Sequence, residues 1–190
     1  MTSLPTGLRE RKKAKTRAAI REHAMRLFEQ QGYAATTVDQ IAEAAGISHM
    51  TFFRNFPAKE DVVATDDYDP MMAELIRARP GGEPPVERVR ATVMAGLAAV
   101  YARDRATILA RAQLIQSTPA LRARIVDNER ATEAVFAAGL GDPDDYETRV
   151  LASACVGALV TAVREWAEHP ERAELPELVD RAFAALARLS

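Results

Sequence analysis

Apolar positions recur at intervals of three and four residues along most of the chain. Ile20, Ala24, Leu27 and Phe28 follow this spacing within a first predicted helix over residues 9–31. Alternating runs of Val, Ile and Thr, which would indicate strands, are missing, and the 37 alanines favour helix. The pattern therefore predicts an all-α fold.

Two short helices joined by a tight turn are predicted over residues 37–55. Thr37 and Gln40 match a capping box at the start of the first, Gly46 suits a left-handed end, and Ser48 suits the N-cap of the second. The arrangement is a helix-turn-helix. The same pattern also fits an ordinary helical hairpin inside a bundle.

Six further helices are predicted after a fourth that begins near Lys59. DDYDP at 66–70 and PGGEPP at 80–85 interrupt helix, while Pro143 suits a first helical position with Asp142 as a cap. The predicted ranges are 71–79, 86–102, 104–116, 119–138, 144–168 and 176–189.

The charge of the chain is divided by position. The net charge of −2 averages residues 1–60, with 10 basic and 6 acidic side chains, and residues 61–190, with 15 and 21. A cationic N-terminal part is expected to meet a polyanion.

The third helix is expected to enter the major groove of double-stranded DNA, with helix starts and basic residues on the phosphates. Residues 49–51, 53 and 54 are predicted to read bases. The predicted DNA-facing set is Lys12, Lys13, Lys15, Arg17, Thr37, Ser48, His49, Met50, Thr51, Phe53, Arg54, Asn55 and Lys59.

The string from Arg17 to Val63 resembles the DNA-binding domain of TetR-family transcriptional regulators. The residues that carry the resemblance are Ile20, Ala24, Leu27, Phe28, Gly32-Tyr33, Thr36-Thr37-Val38, Ile41-Ala42, Ala45-Gly46 and TFFRNFPAKEDVV at 51–63. It implies a three-helix DNA-binding domain over 1–58 and a helical ligand-binding and dimerisation domain over 59–190. It also implies a homodimer on a palindromic operator, and repression released by ligand.

Two positions depart from the family pattern. Phe53 stands where members often carry a Tyr that contacts phosphate, and it is expected to pack or to touch a thymine methyl group. Ala58 replaces a frequent Ser cap, so the fourth helix is expected to start more weakly.

A second resemblance is to the mycofactocin-regulator-like branch of the family, whose members bind acyl-CoA-like ligands. It is carried by TFFRNFP, EDVV, Asp69-Pro70 and TPALRAR at 118–124.

The second half offers candidate ligand and dimer contacts. A pocket is predicted at Met94, Leu97, Tyr101, Arg111, Leu114 and Phe136, although core packing explains the same spacing. Residues 151–163 are apolar nearly all round, so they are expected to be covered on both sides, either by a second subunit or by a monomer's own core. The predicted dimer residues are Cys155, Leu159, Trp166, Val179, Phe183 and Leu186.

Catalytic and membrane functions have little support in the sequence. His23, His49 and His169 are scattered and there is one cysteine, so no cofactor or metal site is predicted. A single cysteine also cannot form an internal disulfide. The longest low-polarity run has 14 residues, short of the roughly 20 that span a bilayer. The expectation is a cytoplasmic regulator that binds an acyl-CoA-like or other apolar molecule. A sensor of a drug-like molecule for efflux control, a helical enzyme and an adaptor remain alternatives.

Overall fold

The computed structural model describes residues 8–65 and 69–188, and within them the chain forms nine helices and no strands. The helices are α1 (Leu8–Gln31), α2 (Val38–Ala44), α3 (His49–Asn55), α4 (Lys59–Ala64), α5 (Asp69–Arg77), α6 (Pro85–Ser117), α7 (Pro119–Leu140), α8 (Tyr146–Glu168) and α9 (Leu175–Ala187). The all-α prediction is confirmed. The predicted helix break over 66–70 lies partly outside the described residues.

The chain divides into two compact units, Met1–Thr65 and Asp66–Ser190. The division falls after Thr65 rather than after residue 58, because α4 is bound to α1. Arg21 on α1 donates from Nε to the carbonyl of Val62 at 3.2 Å and from Nη2 to that of Thr65 at 3.0 Å. The fourth helix therefore belongs to the N-terminal unit.

The N-terminal unit packs four helices around a small aromatic and aliphatic core. Ile20 and Ala24 of α1 are fully buried, as are Phe52 of α3 and Phe56 just after it. The Phe52 and Phe56 rings lie 6.1 Å apart. These anchors fix the orientation of α3, so its opposite face is left at the surface.

The C-terminal unit is built around the long helix α6. Val89 of α6, Phe136 of α7, Trp166 of α8 and Phe183 of α9 are all fully buried or nearly so in one apolar cluster. Apolar side chains from every helix of the unit join this cluster, so its burial supplies the main stabilisation of the unit.

Two predicted boundaries in this unit are wrong. Helix α6 is continuous where a break was predicted after residue 102, because no Pro or Gly stands there to interrupt the hydrogen-bond ladder. Helix α8 begins at Tyr146, and its N-cap is Asp145, whose carboxylate accepts from the Thr148 N–H at 2.8 Å. Asp142 instead accepts from the Asp144 N–H at 3.0 Å, which closes the turn before the helix.

Within the described residues, α8 is the one helix long and apolar enough to cross a membrane, judged by length and composition alone. A third of its most apolar stretch, 33%, is buried inside its own unit. Ala152, Cys155 and Trp166 are fully buried in the cluster of the C-terminal unit. A core helix of this kind passes the same test as a membrane span.

Candidate DNA-binding site

The turn between α2 and α3 has the geometry that its sequence predicts. The Gln40 N–H donates to Thr37 Oγ1 at 3.2 Å and the Thr37 N–H donates to Gln40 Oε1 at 2.9 Å, which completes the capping box. Gly46 has a φ of +64°, and the Thr51 N–H donates to Ser48 Oγ at 3.1 Å. The predicted caps and the left-handed glycine are confirmed.

The outer face of α3 lies at the surface of the N-terminal unit. His49, Met50, Phe53 and Arg54 are exposed, while Thr51 is half-buried. Met50 keeps 63% and Phe53 39% of its surface accessible. The helix thus presents the predicted base-reading side chains together.

The basic residues of α1 separate into two groups. Lys12, Lys13 and Lys15 are exposed and available for a polyanion. Arg17 is turned toward its own unit: its guanidinium lies 4.1 Å from the Phe56 ring centroid and donates to the Asn55 carbonyl. Arg17 therefore holds the end of α3, a role that the sequence prediction missed.

Lys59 is also engaged inside the N-terminal unit. Its Nζ donates to the carbonyls of Tyr33 and Thr36, each at 2.9 Å, and lies 4.0 Å from the Tyr33 ring centroid. The Tyr33 hydroxyl donates to Glu60 at 2.7 Å, and burial, with help from Glu60, raises the pKa of that hydroxyl. The first residue of α4 thus holds the turn after α1 in place.

The two departures from the family pattern have clear structural consequences. Phe53 packs edge-on against Phe52 and His49, at 5.4 and 4.8 Å between ring centroids. Ala58 makes no side-chain cap, yet its N–H donates to Asp61 Oδ2 at 2.9 Å, so the reciprocal half of a capping box remains. An Asp three residues after the cap position is the sequence signal that could have predicted this bond.

The predicted ligand residues are only partly brought together. Met94, Leu97 and Tyr101 follow one face of α6 and pack, half-buried, against the apolar cluster, while Phe136 is fully inside it. Arg111 and Leu114 are half-buried farther along α6.

Tyr101 is part of a polar cluster between α6 and the start of α9. Its hydroxyl donates to Glu174 and accepts from the Leu175 N–H at 3.3 Å. Arg105 also binds Glu174, at 2.8 and 3.0 Å, and this pairing is the main cause of a lowered pKa for the Glu174 carboxyl. These contacts fix the start of α9 against α6.

Four of the six predicted dimer residues face the interior of their own unit, which corrects that assignment. Cys155, Trp166, Val179 and Phe183 are fully buried, and burial raises the pKa of the Cys155 thiol to about 12. Leu159 and Leu186 are half-buried. The outer surfaces of α8 and α9 instead form an open groove of about 530 Å³, lined by Thr161, Ala162, Glu165, Leu178, Arg181, Ala182, Ala184, Ala185 and Arg188.

The N-terminal unit contains a helix-turn-helix whose helix α3 is anchored from within and exposed on its outer face. Together with a separate all-helical unit, it defines a two-domain DNA-binding regulator. Comparison with known proteins gives the family. Residues 20–65 match the bacterial regulatory proteins of the tetR family, and residues 83–189 match the MftR C-terminal domain. The chain belongs to the TetR family and fits its mycofactocin-regulator-like branch.

Individual relatives agree with this assignment. The HTH-type transcriptional regulator TcmR of Streptomyces glaucescens is 34% identical over 175 residues, which cover 84% of this chain and 76% of TcmR. Thermus thermophilus FadR, a repressor solved with lauroyl-CoA, is 26% identical with a TM-score of 0.58, over 90% of this chain and 93% of that one. SmeT, solved with triclosan, shares the fold at 17% identity and a TM-score of 0.60, over 90% and 91%. The chain is accordingly a transcriptional regulator of the TetR family.

Proposed function

We propose that the chain acts in the cytoplasm as a homodimeric repressor that an amphipathic apolar effector, such as a long-chain acyl-CoA, releases from a palindromic operator. The observation that carries the DNA-binding part is the exposed face of α3. Phe52 and Phe56 anchor the helix from within, so Met50, Phe53 and Arg54 project outward from a rigid base.

The exposed residues divide by chemistry into two roles. Lys12, Lys13 and Lys15 carry positive charge at the surface of α1 and would contact phosphates without regard to sequence. Arg54, at the end of α3, has the guanidinium geometry that pairs with the major-groove edge of guanine. Affinity should therefore depend on salt through the lysines and on sequence through α3.

The DNA-binding proposal is tested by footprinting the intergenic DNA next to the gene and titrating the protected site at constant salt. Arg54→Ala should weaken specific binding by about fivefold to more than a hundredfold, because losing a bidentate guanine contact costs about 1–3 kcal/mol. Arg130→Ala removes an exposed arginine from α7 and should leave affinity unchanged. Equal affinity of both variants and the unmodified protein would contradict the role of Arg54.

A second copy of the chain is proposed to bind in the outer groove of α8 and α9. Its lining is mostly small or apolar, and a twofold pair would match the symmetry of a palindromic operator. Ala185→Glu places a charge in this groove and should shift the protein from dimer to monomer in size-exclusion chromatography with light scattering. Ala123→Glu, on the exposed face of α7, is the control. A dimer that survives Ala185→Glu would place the interface elsewhere.

The effector is proposed to bind in the C-terminal unit, where Met94, Leu97 and Ile108 of α6 are half-buried against the apolar cluster. The likeness to FadR, which was solved with lauroyl-CoA, supports an acyl-CoA. Lauroyl-CoA should raise the melting temperature and release the operator in a gel-shift titration, whereas coenzyme A alone should do neither. Release by an apolar drug-like compound but not by lauroyl-CoA would favour an efflux sensor, and stronger DNA binding with ligand would contradict release.

A further inference from the structure

Two large apolar side chains stand exposed on the DNA-facing helix. Met50 and Phe53 are the large apolar side chains of the N-terminal unit, as far as the structure describes it, that expose more than a third of their surface. They are three residues apart, so they lie on neighbouring turns of the same helix face. Exposed apolar surface placed together on a protein marks a contact with a partner.

Several of the hydrogen-bonding side chains around them already have partners in the protein. The hydroxyls of Ser48 and Thr51 pair at 2.9 Å, and the Asn55 amide donates to the Thr51 carbonyl at 2.8 Å. His49 Nε2 lies 3.6 Å from Asp39 Oδ1. The surface that α3 offers to a groove is therefore dominated by Met50, Phe53 and the charged Arg54.

We infer that Met50 and Phe53 read the C5-methyl groups of thymines at adjacent base pairs in each half of the operator. Thymine is the base that presents an apolar group in the major groove, so it is the complement of an exposed apolar side chain. Three residues of helix rise about 4.5 Å, close to the step of about 3.4 Å between base pairs. This inference rests on the proposed binding of α3 to DNA.

The two side chains differ in how firmly they are held. The Phe53 ring is supported edge-on by Phe52 and His49, so it is fixed before DNA arrives. Met50 is more exposed and flexible, and it adapts to the neighbouring base. Discrimination should thus be sharper at the thymine that faces Phe53.

The test replaces thymine by uracil, which removes the methyl group and keeps every hydrogen bond of the base pair. The operator is first selected from random DNA, and each thymine of one half-site is then replaced by deoxyuridine in a separate duplex. Two adjacent positions should each lose about fourfold in affinity, the equivalent of one buried methyl group. The other positions should change by less than twofold.

Two protein variants assign each position to a side chain. Met50→Ala should abolish the uracil effect at one position and Phe53→Ala at the other, whereas Val126→Ala, which trims an exposed apolar residue of α7, should leave both effects in place. Hydrogen exchange of the N-terminal unit checks that each variant is folded.

The outcomes separate this inference from the proposed function. A protein that selects no DNA sequence overturns both. Tight binding with no uracil-sensitive position, or with uracil effects that both variants retain, overturns the reading of methyl groups and leaves the regulator assignment standing.

Discussion

The clearest quantitative prediction concerns Lys59, for which sequence and structure assign different roles. As a phosphate contact, Lys59 would matter only when DNA is bound. In the structure its ammonium donates to two backbone carbonyls, of Tyr33 and Thr36, at 2.9 Å each, and lies over the Tyr33 ring. Its removal should therefore destabilise the free protein.

The expected loss in Lys59→Met follows from these contacts. Two hydrogen bonds from a charged donor contribute about 1.5 kcal/mol each at the lower end of their range, which suits a half-buried group. The ring contact adds about 0.5 kcal/mol. The N-terminal unit should lose about 3.5 kcal/mol of its free energy of unfolding, or roughly 14 °C or more in melting temperature.

The assay must report on the N-terminal unit itself. The single tryptophan, Trp166, lies in α8, so its fluorescence follows the other unit. Hydrogen exchange of peptides from residues 20–65 measures the required stability, and a salt titration of operator affinity measures phosphate contacts. Lys15→Met, on the exposed face of α1, is the matched control: it should lower the salt slope by about 0.9 and leave exchange unchanged. The structural role is refuted if Lys59→Met behaves like this control.

Three further predictions concern the C-terminal unit. Glu174→Gln should lower stability at pH 7, and its difference from the unmodified protein should disappear as the pH falls through the depressed Glu174 pKa, below the ordinary 4.5, in urea unfolding followed across pH. A difference that stays constant from neutral pH down to the onset of acid unfolding would contradict this. Cys155 should resist a thiol reagent at pH 8 until urea unfolds the protein, since its pKa is raised to about 12 by burial; rapid labelling of the folded protein would show otherwise. Gly139→Ala should lower the free energy of unfolding by about 1–3 kcal/mol, because an added Cβ would lie 2.8 Å from Ile76 Cβ. Gly96→Ala should leave the free energy of unfolding unchanged, and equal melting temperatures of the two variants would refute the close approach.

Local features of the DNA-binding site could be predicted from sequence because short-range bonds decide them. The capping box at Thr37, the left-handed Gly46 and the Ser48 cap each depend on atoms within a few residues. The outward-facing side chains of α3 could be predicted from helical periodicity, because Phe52 and Phe56 were assigned to the inner face.

Long cationic side chains show where such prediction stops. Arg17 and Lys59 stand in a basic region that suits phosphate binding. However, the guanidinium of Arg17 and the ammonium of Lys59 reach backbone carbonyls that are far away in the sequence. Sequence spacing does not reveal that Asn55 or Tyr33 will lie within reach. Charge predicted the DNA-binding unit correctly, while the roles of these two charges depended on tertiary contacts.

The sequence by itself determined the all-α fold, the helix-turn-helix and its exposed reading face, since periodicity and capping are properties of neighbouring residues. Only the tertiary structure decided that α4 joins the N-terminal unit and that Cys155 and Trp166 of α8 point inward. A helix that is apolar on nearly every side carries no periodic signal to mark its inner face. That face is chosen by the side chains of α6, α7 and α9 that pack against it.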